Sequence, residues 1–409
     1  MIKEKCTDKI KEISINVVQT EIESIRKKDI TKTGLRIYKD GYIGISGGLG
    51  KIDEKDMERK ARENLNLHIP YPCEASRDHI EEVDNAANSL SDEEFADEME
   101  EVLILLKKEY DDFIFSNQMR MVEVENRLLN DVGLNLTYKD KMVEITLLIK
   151  EKTSANIFDT VFVYRDRIFD KERLILSLDD MIRGYKNRVD IPKEDNMPVI
   201  FSVTDELILS KFAEELNGYK FGTGASLFRK LAGQEKFSKD LTIYQSAEVE
   251  DMNLIPFFDA EGVVNKDYRY ALIEKGKIIC PYTDKKTSKE FNLPLTGSAY
   301  AEYDKVPSLS RPYIKIEPEN KTLKEIMNGR MGIIAVVASG GDFTSDGTFG
   351  TPIQVPFLTD GDKILGRLPE LNVSGHIYKM FGEDYLGTFK DKALFGERGT
   401  VVNLNVKKI

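Results

Sequence analysis

Residues 197–409 contain many short, apolar, strand-like runs that are separated by glycine and proline. Runs of this length and spacing predict a β-rich C-terminal domain. Helices are predicted in this half only at 206–216 and 322–327, with a weaker candidate at 376–380. The strand-like runs are 241–244, 268–273, 277–280, 313–316, 332–338, 353–358 and 401–406.

The first half has a different pattern, which predicts an α+β domain. Apolar and polar residues alternate between 10 and 47, and Asp40-Gly41 is typical of a hairpin turn because glycine accepts a positive φ. Ser91 and Glu94 have the spacing of a capping box before an amphipathic helix. Further strands are predicted at 113–125, 134–149 and 157–165, and further helices at 53–65 and 171–186.

The predicted fold class is therefore α+β, with an N-terminal antiparallel sheet and covering helices followed by a β-rich C-terminal domain. The polar, proline-bearing stretch 192–196 is the predicted linker. It divides the chain into domains at 1–191 and 192–409. A length of 409 residues fits two or three domains of ordinary size better than one core.

The overall charge argues against nucleic acid as a partner. The formal net charge is -12, and the short basic clusters are bordered by acids rather than gathered into a stripe. Three well-separated cysteines, Cys6, Cys73 and Cys280, suit a reducing compartment. No run approaches the ~20 apolar residues of a membrane span, and no apolar signal segment follows Met1. A cytoplasmic protein without membrane association is expected.

Histidine use argues against a zinc-peptidase helix within this chain. The three histidines, His68, His79 and His376, include no pair at i and i+4, so two imidazoles cannot share one helical face. Each is expected to be a surface or satisfied histidine. No serine or cysteine lies near a histidine in a nucleophile-like setting, so a catalytic triad has no support, although distance along the sequence does not exclude one.

Asp259-Ala260-Glu261-Gly262 is the most distinctive carboxylate cluster, because two acids and a glycine follow an apolar run. Considered alone, it is typical of a turn. Collinear segments after it resemble the C-terminal domain of the TldD/PmbA family, and 34–37, 40–44, Asn130 and Gly133 resemble its N-terminal landmarks. The C-terminal segments are ALIEKGKI at 271–278, LTGSA at 295–299, Gly340-Gly341, Phe349-Gly350, DGDKILGR at 360–367 and VSG at 373–375.

The resemblance implies a member of TldE/PmbA type, a group also described as modulators of DNA gyrase, without its own zinc site. Peptidase subunits of the family carry a His-Glu-x-x-x-His helix and a C-terminal thiolate. Here Ser210 and Lys211 stand where a ligand and the general base are expected, and Cys280 is the last cysteine. Neither a neutral hydroxyl nor an ammonium can perform those roles.

The resemblance further implies a heterodimer with a TldD-like subunit that holds the zinc and cuts unfolded or short peptides. No catalytic, cofactor or metal residue is assigned to this chain, and its cleft candidates are Asp259, Glu261, Gly262, Ser210 and Lys211. Two alternatives stay open. One is a homodimeric peptide-binding or regulatory module, and the other is an independent hydrolase that uses Asp259 and Glu261 or the Cys280 thiol.

Overall fold

The structure of the chain is a computed structural model, which describes residues 1–86, 90–203, 205–251, 253–393 and 395–409. The first half contains the strands β1 (Ile2–Val18), β2 (Glu21–Lys39), β3 (Tyr42–Leu49), β4 (Ile69–Pro70), β5 (His79–Asp84), β6 (Phe113–Asn130), β7 (Leu134–Glu151) and β8 (Thr160–Asp166), and the helices α1 (Glu54–Glu63), α2 (Asp92–Glu109) and α3 (Lys171–Lys186).

The second half contains shorter elements. Its strands are β9 (Asn196–Ser202), β10 (Ile243–Ser246), β11 (Arg269–Glu274), β12 (Lys277–Ile278), β13 (Ala299–Tyr300), β14 (Ser308–Leu309), β15 (Ile314–Ile316), β16 (Gly332–Ala338), β17 (Asp342–Phe343), β18 (Thr348–Thr359), β19 (Ile364–Arg367), β20 (Leu371–His376), β21 (Tyr385–Thr388) and β22 (Gly399–Lys408). Its helices are α4 (Ser210–Glu215), α5 (Gly218–Gly222), α6 (Lys285–Phe291), α7 (Leu323–Met327) and α8 (Ile377–Met380).

Long antiparallel strands dominate the N-terminal sheet, whose order is β4-β3-β2-β1-β6-β7-β5, with β8 also paired to β7. The predicted hairpin turn is confirmed, because Asp40 and Gly41 both have positive φ, at 51° and 81°. Along β7 buried and half-buried residues alternate, as expected when one face of a strand covers a core. The β5–β7 pair is parallel, so the sheet is mixed at that edge.

The helices of the first half cover this sheet as predicted. Ser91 caps α2, and the Glu94 side chain accepts a hydrogen bond from the Ser91 backbone N–H, which completes the capping box. On α1, Met57 and Ala61 pack with Leu35 and Ile37 of β2. The face of α2 that enters the core consists of Phe95, Met99, Val102, Leu103 and Leu106.

The second large sheet has the order β16-β9-β22-β20-β18-β17, with β19 paired to β18 and β21 to β22. Within it β9 lies between β16, to which it is parallel, and β22, to which it is antiparallel. A four-stranded sheet, β12-β11-β10-β15, and the pair β13–β14 complete the β structure of the described residues. The predicted α+β fold class is confirmed.

The two large sheets share one hydrophobic core. Leu178 and Met181 of α3 pack in the same cluster as Ile200 of β9, Phe357 of β18 and Val401 of β22. Helix α3 therefore contributes to the core of both halves. The predicted boundary at 191/192 falls between α3 and β9 in the chain and stays a prediction.

Several boundaries predicted in the second half were wrong. The helix predicted at 206–216 forms only over α4, because the Asp205 side chain accepts from the Leu207 N–H at 2.9 Å and holds the preceding residues in a turn. The linker predicted at 192–196 is one residue too long, since Asn196 begins β9. Helices α5 and α6 were not predicted. The predictions at 322–327 and 376–380 are confirmed as α7 and α8.

Candidate functional site

A cleft of about 500 Å³ lies between the N-terminal sheet and the loops of the second half. One wall comes from β1, β2 and β6, which contribute polar side chains such as Asp8, Lys32 and Asn126. The opposite wall is formed by 254–260 and 297–302, where Phe257 and Phe258 supply apolar surface. Such a mixture of apolar surface and a few polar groups is typical of ligand sites.

Asp259 lies on this wall, where its carboxylate organises a turn. Its Oδ1 accepts from the backbone N–H groups of Glu261 and Val263, both at 2.9 Å, and its Oδ2 accepts from Ala299 N–H at 3.0 Å. Burial raises the pKa of Asp259 to about 6, although these three donors oppose the rise. Because its oxygens already bind the backbone, Asp259 connects the turn to β13.

Glu261 lies behind the wall, with 2% of its surface exposed. Its carboxylate accepts from the Tyr71 hydroxyl and from the backbone N–H of Lys285 at the start of α6. Burial, and next the charge of Asp259, raise the pKa of Glu261 to about 7. The Glu261 side chain thus links Tyr71, which follows β4, to the start of α6.

Gly262 completes the turn in a conformation that favours glycine. Its φ is +70°, and a Cβ placed there would lie 2.7 Å from Leu134 Cδ2 in β7. A side chain would therefore force the turn away from the N-terminal sheet.

Arg36 joins the turn to the N-terminal sheet, although no chemical motif in the sequence singled it out. Its Nη1 donates to Glu4 Oε1 at 3.2 Å and to the Ala260 carbonyl. Glu4 Oε1 also accepts from the Tyr38 hydroxyl at 2.7 Å. Arg36 and Glu4 are 2% and 1% exposed. The one available signal for this buried arginine was the resemblance of 34–37 to an N-terminal landmark of the family.

Residues 194–400 match the family model described as the PmbA/TldA metallopeptidase C-terminal domain. The chain belongs to the PmbA/TldD family. It is 27% identical, over 235 residues, to a zinc metalloprotease TldD homologue from Saccharolobus solfataricus; the match covers 54% of this chain and 50% of that protein. The chain thus spans about half the length of that relative.

Solved structures with the same fold include TldE from Thermococcus kodakarensis, with a TM-score of 0.80 and 16% identity, covering 100% of this chain and 96% of that one. A protein described as a modulator of a DNA gyrase, from Thermotoga maritima, has a TM-score of 0.76 and 14% identity, covering 99% and 96%. Likeness at this identity shows that the fold of the PmbA/TldD family extends over the whole chain.

Ser210 and Lys211, which the family resemblance brought forward, lie in α4 and do not line the cleft. Ser210 Oγ donates to the Leu207 carbonyl at 2.7 Å. Lys211 is 2% exposed, and its Nζ lies 2.7 Å from Glu214 Oε2 and 2.9 Å from Glu215 Oε1. These contacts lie within α4 and the turn before it. The five predicted cleft residues therefore do not form one cluster.

The histidines are scattered over three places. His68 contacts Tyr42 edge to face, His79 Nε2 lies 2.7 Å from Glu81 Oε2, and His376 caps α8. Within the described ranges, no group of three or more His, Cys, Asp or Glu residues could hold a metal ion. Cys280 is buried near the Ala271 carbonyl, and burial raises the pKa of its thiol to about 12, which disfavours a nucleophilic role.

Among the described helices, none has the length and apolar character needed to cross a lipid bilayer.

Proposed function

We propose that this chain is the non-catalytic, TldE-like subunit of a TldD–TldE-type metallopeptidase. It binds unfolded or short peptides, and a TldD-like partner carries the zinc ion and cuts them. The observation that carries the proposal is the ion-paired Lys211 in α4. The family resemblance assigns the general base of the peptidase subunit to this position.

A lysine in that place opposes metal binding for an electrostatic reason. Its ammonium has no lone pair to give to zinc, and its positive charge repels a cation. Glu214 and Glu215, the nearest carboxylates, are engaged with Lys211 and Lys220. Glu215 also accepts from Leu227 N–H at 2.7 Å. The acids of α4 thus neutralise lysines instead of presenting oxygens to a metal.

The cleft supports peptide binding. Its volume of about 500 Å³ falls in the range of ligand sites. Phe257 and Phe258 offer apolar contact area, while Asp8, Lys32 and Asn126 can meet the polar groups of a peptide backbone.

The experiment compares the purified chain with a mixture of the chain and a TldD-like partner from the same cell. Zinc is measured by elemental analysis, and hydrolysis is followed with an unstructured peptide. We expect substoichiometric zinc and no hydrolysis from the chain alone, with hydrolysis restored by the partner. A partner variant with its metal-binding histidines replaced by alanine is the matched control, and it should stay inactive.

Two outcomes would contradict the proposal. Hydrolysis by the isolated chain in the presence of a chelator would identify it as an independent hydrolase. If no TldD-like protein co-purified, and the chain formed a homodimer that bound peptides without cleaving them, the homodimeric binding module would be the better description.

A further inference from the structure

A second cavity of about 240 Å³ lies where the end of β8 and the start of α3 meet segments 313–318 and 395–398. Tyr313 lines both this cavity and the cleft, so the two spaces are neighbours. Neither the family match nor the cleft residues point to this place.

Basic side chains outnumber acidic ones around the second cavity, although the whole chain is acidic. Of the cations, Lys315 is neutralised, because it pairs with Asp251 and lies 3.2 Å from Glu248. Glu397 accepts a hydrogen bond from Ser202. The basic side chains are Arg165, Arg173, Lys315, Lys392 and Arg398, and the acidic ones are Glu250, Asp251 and Glu397.

Two of these cations share one carboxylate, and a third pairs with none that the structure describes. Arg173 Nη2 lies 2.6 Å and Lys392 Nζ 3.8 Å from the same oxygen, Asp166 Oδ2. Arg398 donates from Nε to the Lys390 carbonyl at 3.1 Å, and within the described ranges no acid lies within ion-pair distance of it. The charge at this end of the cavity is therefore under-compensated.

Two residues of the cavity lining each carry a buried polar atom without a hydrogen-bond partner in the described ranges. Arg173 Nε is buried and has no hydrogen-bond partner among the described residues, while its guanidinium packs 4.6 Å from the ring centre of Tyr164. Asp251 Oδ2 is likewise buried without a partner in the described part of the chain. Unmatched buried polar atoms are uncommon in folded proteins and call for a partner.

The titration of Lys392 agrees with this charge excess. Burial, and next the charge of Arg173, lower the pKa of the Lys392 ammonium, and Arg398 lowers it further. A bound anion would oppose these like charges and raise the pKa of Lys392 again.

The remaining lining is apolar and includes Val163, Val203, Ile316, Pro318 and Phe395. A fitting ligand therefore has an apolar body and one anionic end. We propose that this cavity binds the C-terminal residue of a peptide, with its free carboxylate held by Arg173, Lys392 and Arg398 and its apolar side chain against the apolar part of the lining.

The carboxylate site rests on the cavity alone. The choice of a peptide rests on the proposed function, because a bound peptide could continue past Tyr313 into the cleft. A small free carboxylic acid offers the same chemistry and is the other source to be distinguished.

The test is titration calorimetry of the full chain with Ala-Leu-Phe as the free acid, the same peptide as the C-terminal amide, phenylpropanoate and inorganic phosphate. Lys392→Gln and Arg398→Gln each remove one charge from the cavity. Lys390→Gln is the matched control, because its Nζ contacts Asn320 and its side chain does not line the cavity. Circular dichroism confirms that each variant is folded.

We expect the free acid to bind about tenfold more tightly than the amide, and each cavity variant to weaken it by about tenfold, while Lys390→Gln leaves it unchanged. Phenylpropanoate binding as tightly as the peptide, with the same dependence on Arg398, would retain the carboxylate site and assign it to small acids. Equal binding of acid and amide, insensitive to Arg398→Gln, would overturn the site while leaving peptide binding in the cleft intact. The carboxylate site would also be overturned if inorganic phosphate bound and no carboxylic acid did, or if none of the four ligands bound.

Discussion

Two buried groups of charges stabilise different parts of this chain. At the junction of the two halves, Arg36 donates both to Glu4 in β1 and to the Ala260 carbonyl in the C-terminal turn. In α4, Lys211 finds its partners three and four residues along the same helix. The first group connects the two halves, whereas the ion pairs of the second group lie within one helix. We therefore expect mutations to affect the two groups to different extents.

Removing Arg36 should have the largest effect. Arg36→Met leaves the Glu4 carboxylate buried without its counter-charge, and we expect a loss of about 3–5 kcal/mol in the free energy of unfolding. Urea unfolding followed by circular dichroism measures it. The double variant Glu4→Gln with Arg36→Met should recover most of that loss, because a neutral amide can still accept from the Tyr38 hydroxyl. If the double variant were as unstable as Arg36→Met, the lost hydrogen bond to the Ala260 carbonyl would account for more of the effect than the unpaired charge of Glu4.

The buried acids of the turn should produce the next largest effect, as a pH dependence. Because the pKa of Glu261 is raised to about 7, the folded state holds a proton that the unfolded state releases near pH 4.5. The folded state is therefore favoured at low pH, and this contribution is lost as the pH rises from about 4.5 to about 7. It amounts to at most about 3 kcal/mol.

Glu261→Gln should remove most of this slope, since glutamine cannot titrate and still offers an oxygen to the Lys285 N–H. Urea midpoints at pH 5 and at pH 8 provide the comparison, with the parent chain as control. A slope that is unchanged in the variant would assign the dependence to other groups, with Asp259 as the first to examine.

Lys211→Met should have a smaller effect of about 1–2 kcal/mol. Glu215 would keep Lys220 at 2.7 Å and the Leu227 N–H, so its carboxylate is not left alone. Thermal unfolding of the variant and of Lys220→Met gives the comparison. A loss as large as that of Arg36→Met would mean that the α4 network stabilises more than its own helix.

The contrast between the two groups also explains what the sequence could predict. Local signals were reliable: Ser91 and Glu94 fixed the start of α2, and Asp40-Gly41 fixed the first hairpin. These features depend on residues only a few positions apart. Helix α4 was predicted too long because the apolar spacing of 206–216 continues through a turn that the Asp205 side chain holds.

Features that depend on distant pairing could not be derived from local patterns. The junction joins Glu4, Arg36 and Ala260, which lie up to 256 residues apart in the chain, and no periodicity reports such a contact. Asp259 was selected for its acidity, yet the structure shows that its oxygens bind backbone N–H groups. The second cavity was missed because its cations come from β8, α3, β15 and the segment before β22.

The smallest effect is expected at the surface of the N-terminal sheet. Lys9 Nζ lies 2.8 Å from Glu125 Oε2 across β1 and β6, and their side chains are 42% and 32% exposed. Solvent screens such a pair, so Lys9→Gln should change the free energy of unfolding by less than about 0.5 kcal/mol, and still less at high salt. Urea unfolding at low and high salt measures this. The result compares exposed with buried ion pairs in this fold. If Lys9→Gln lowered the free energy of unfolding as much as Lys211→Met, burial would not be the property that makes the internal ion pairs important.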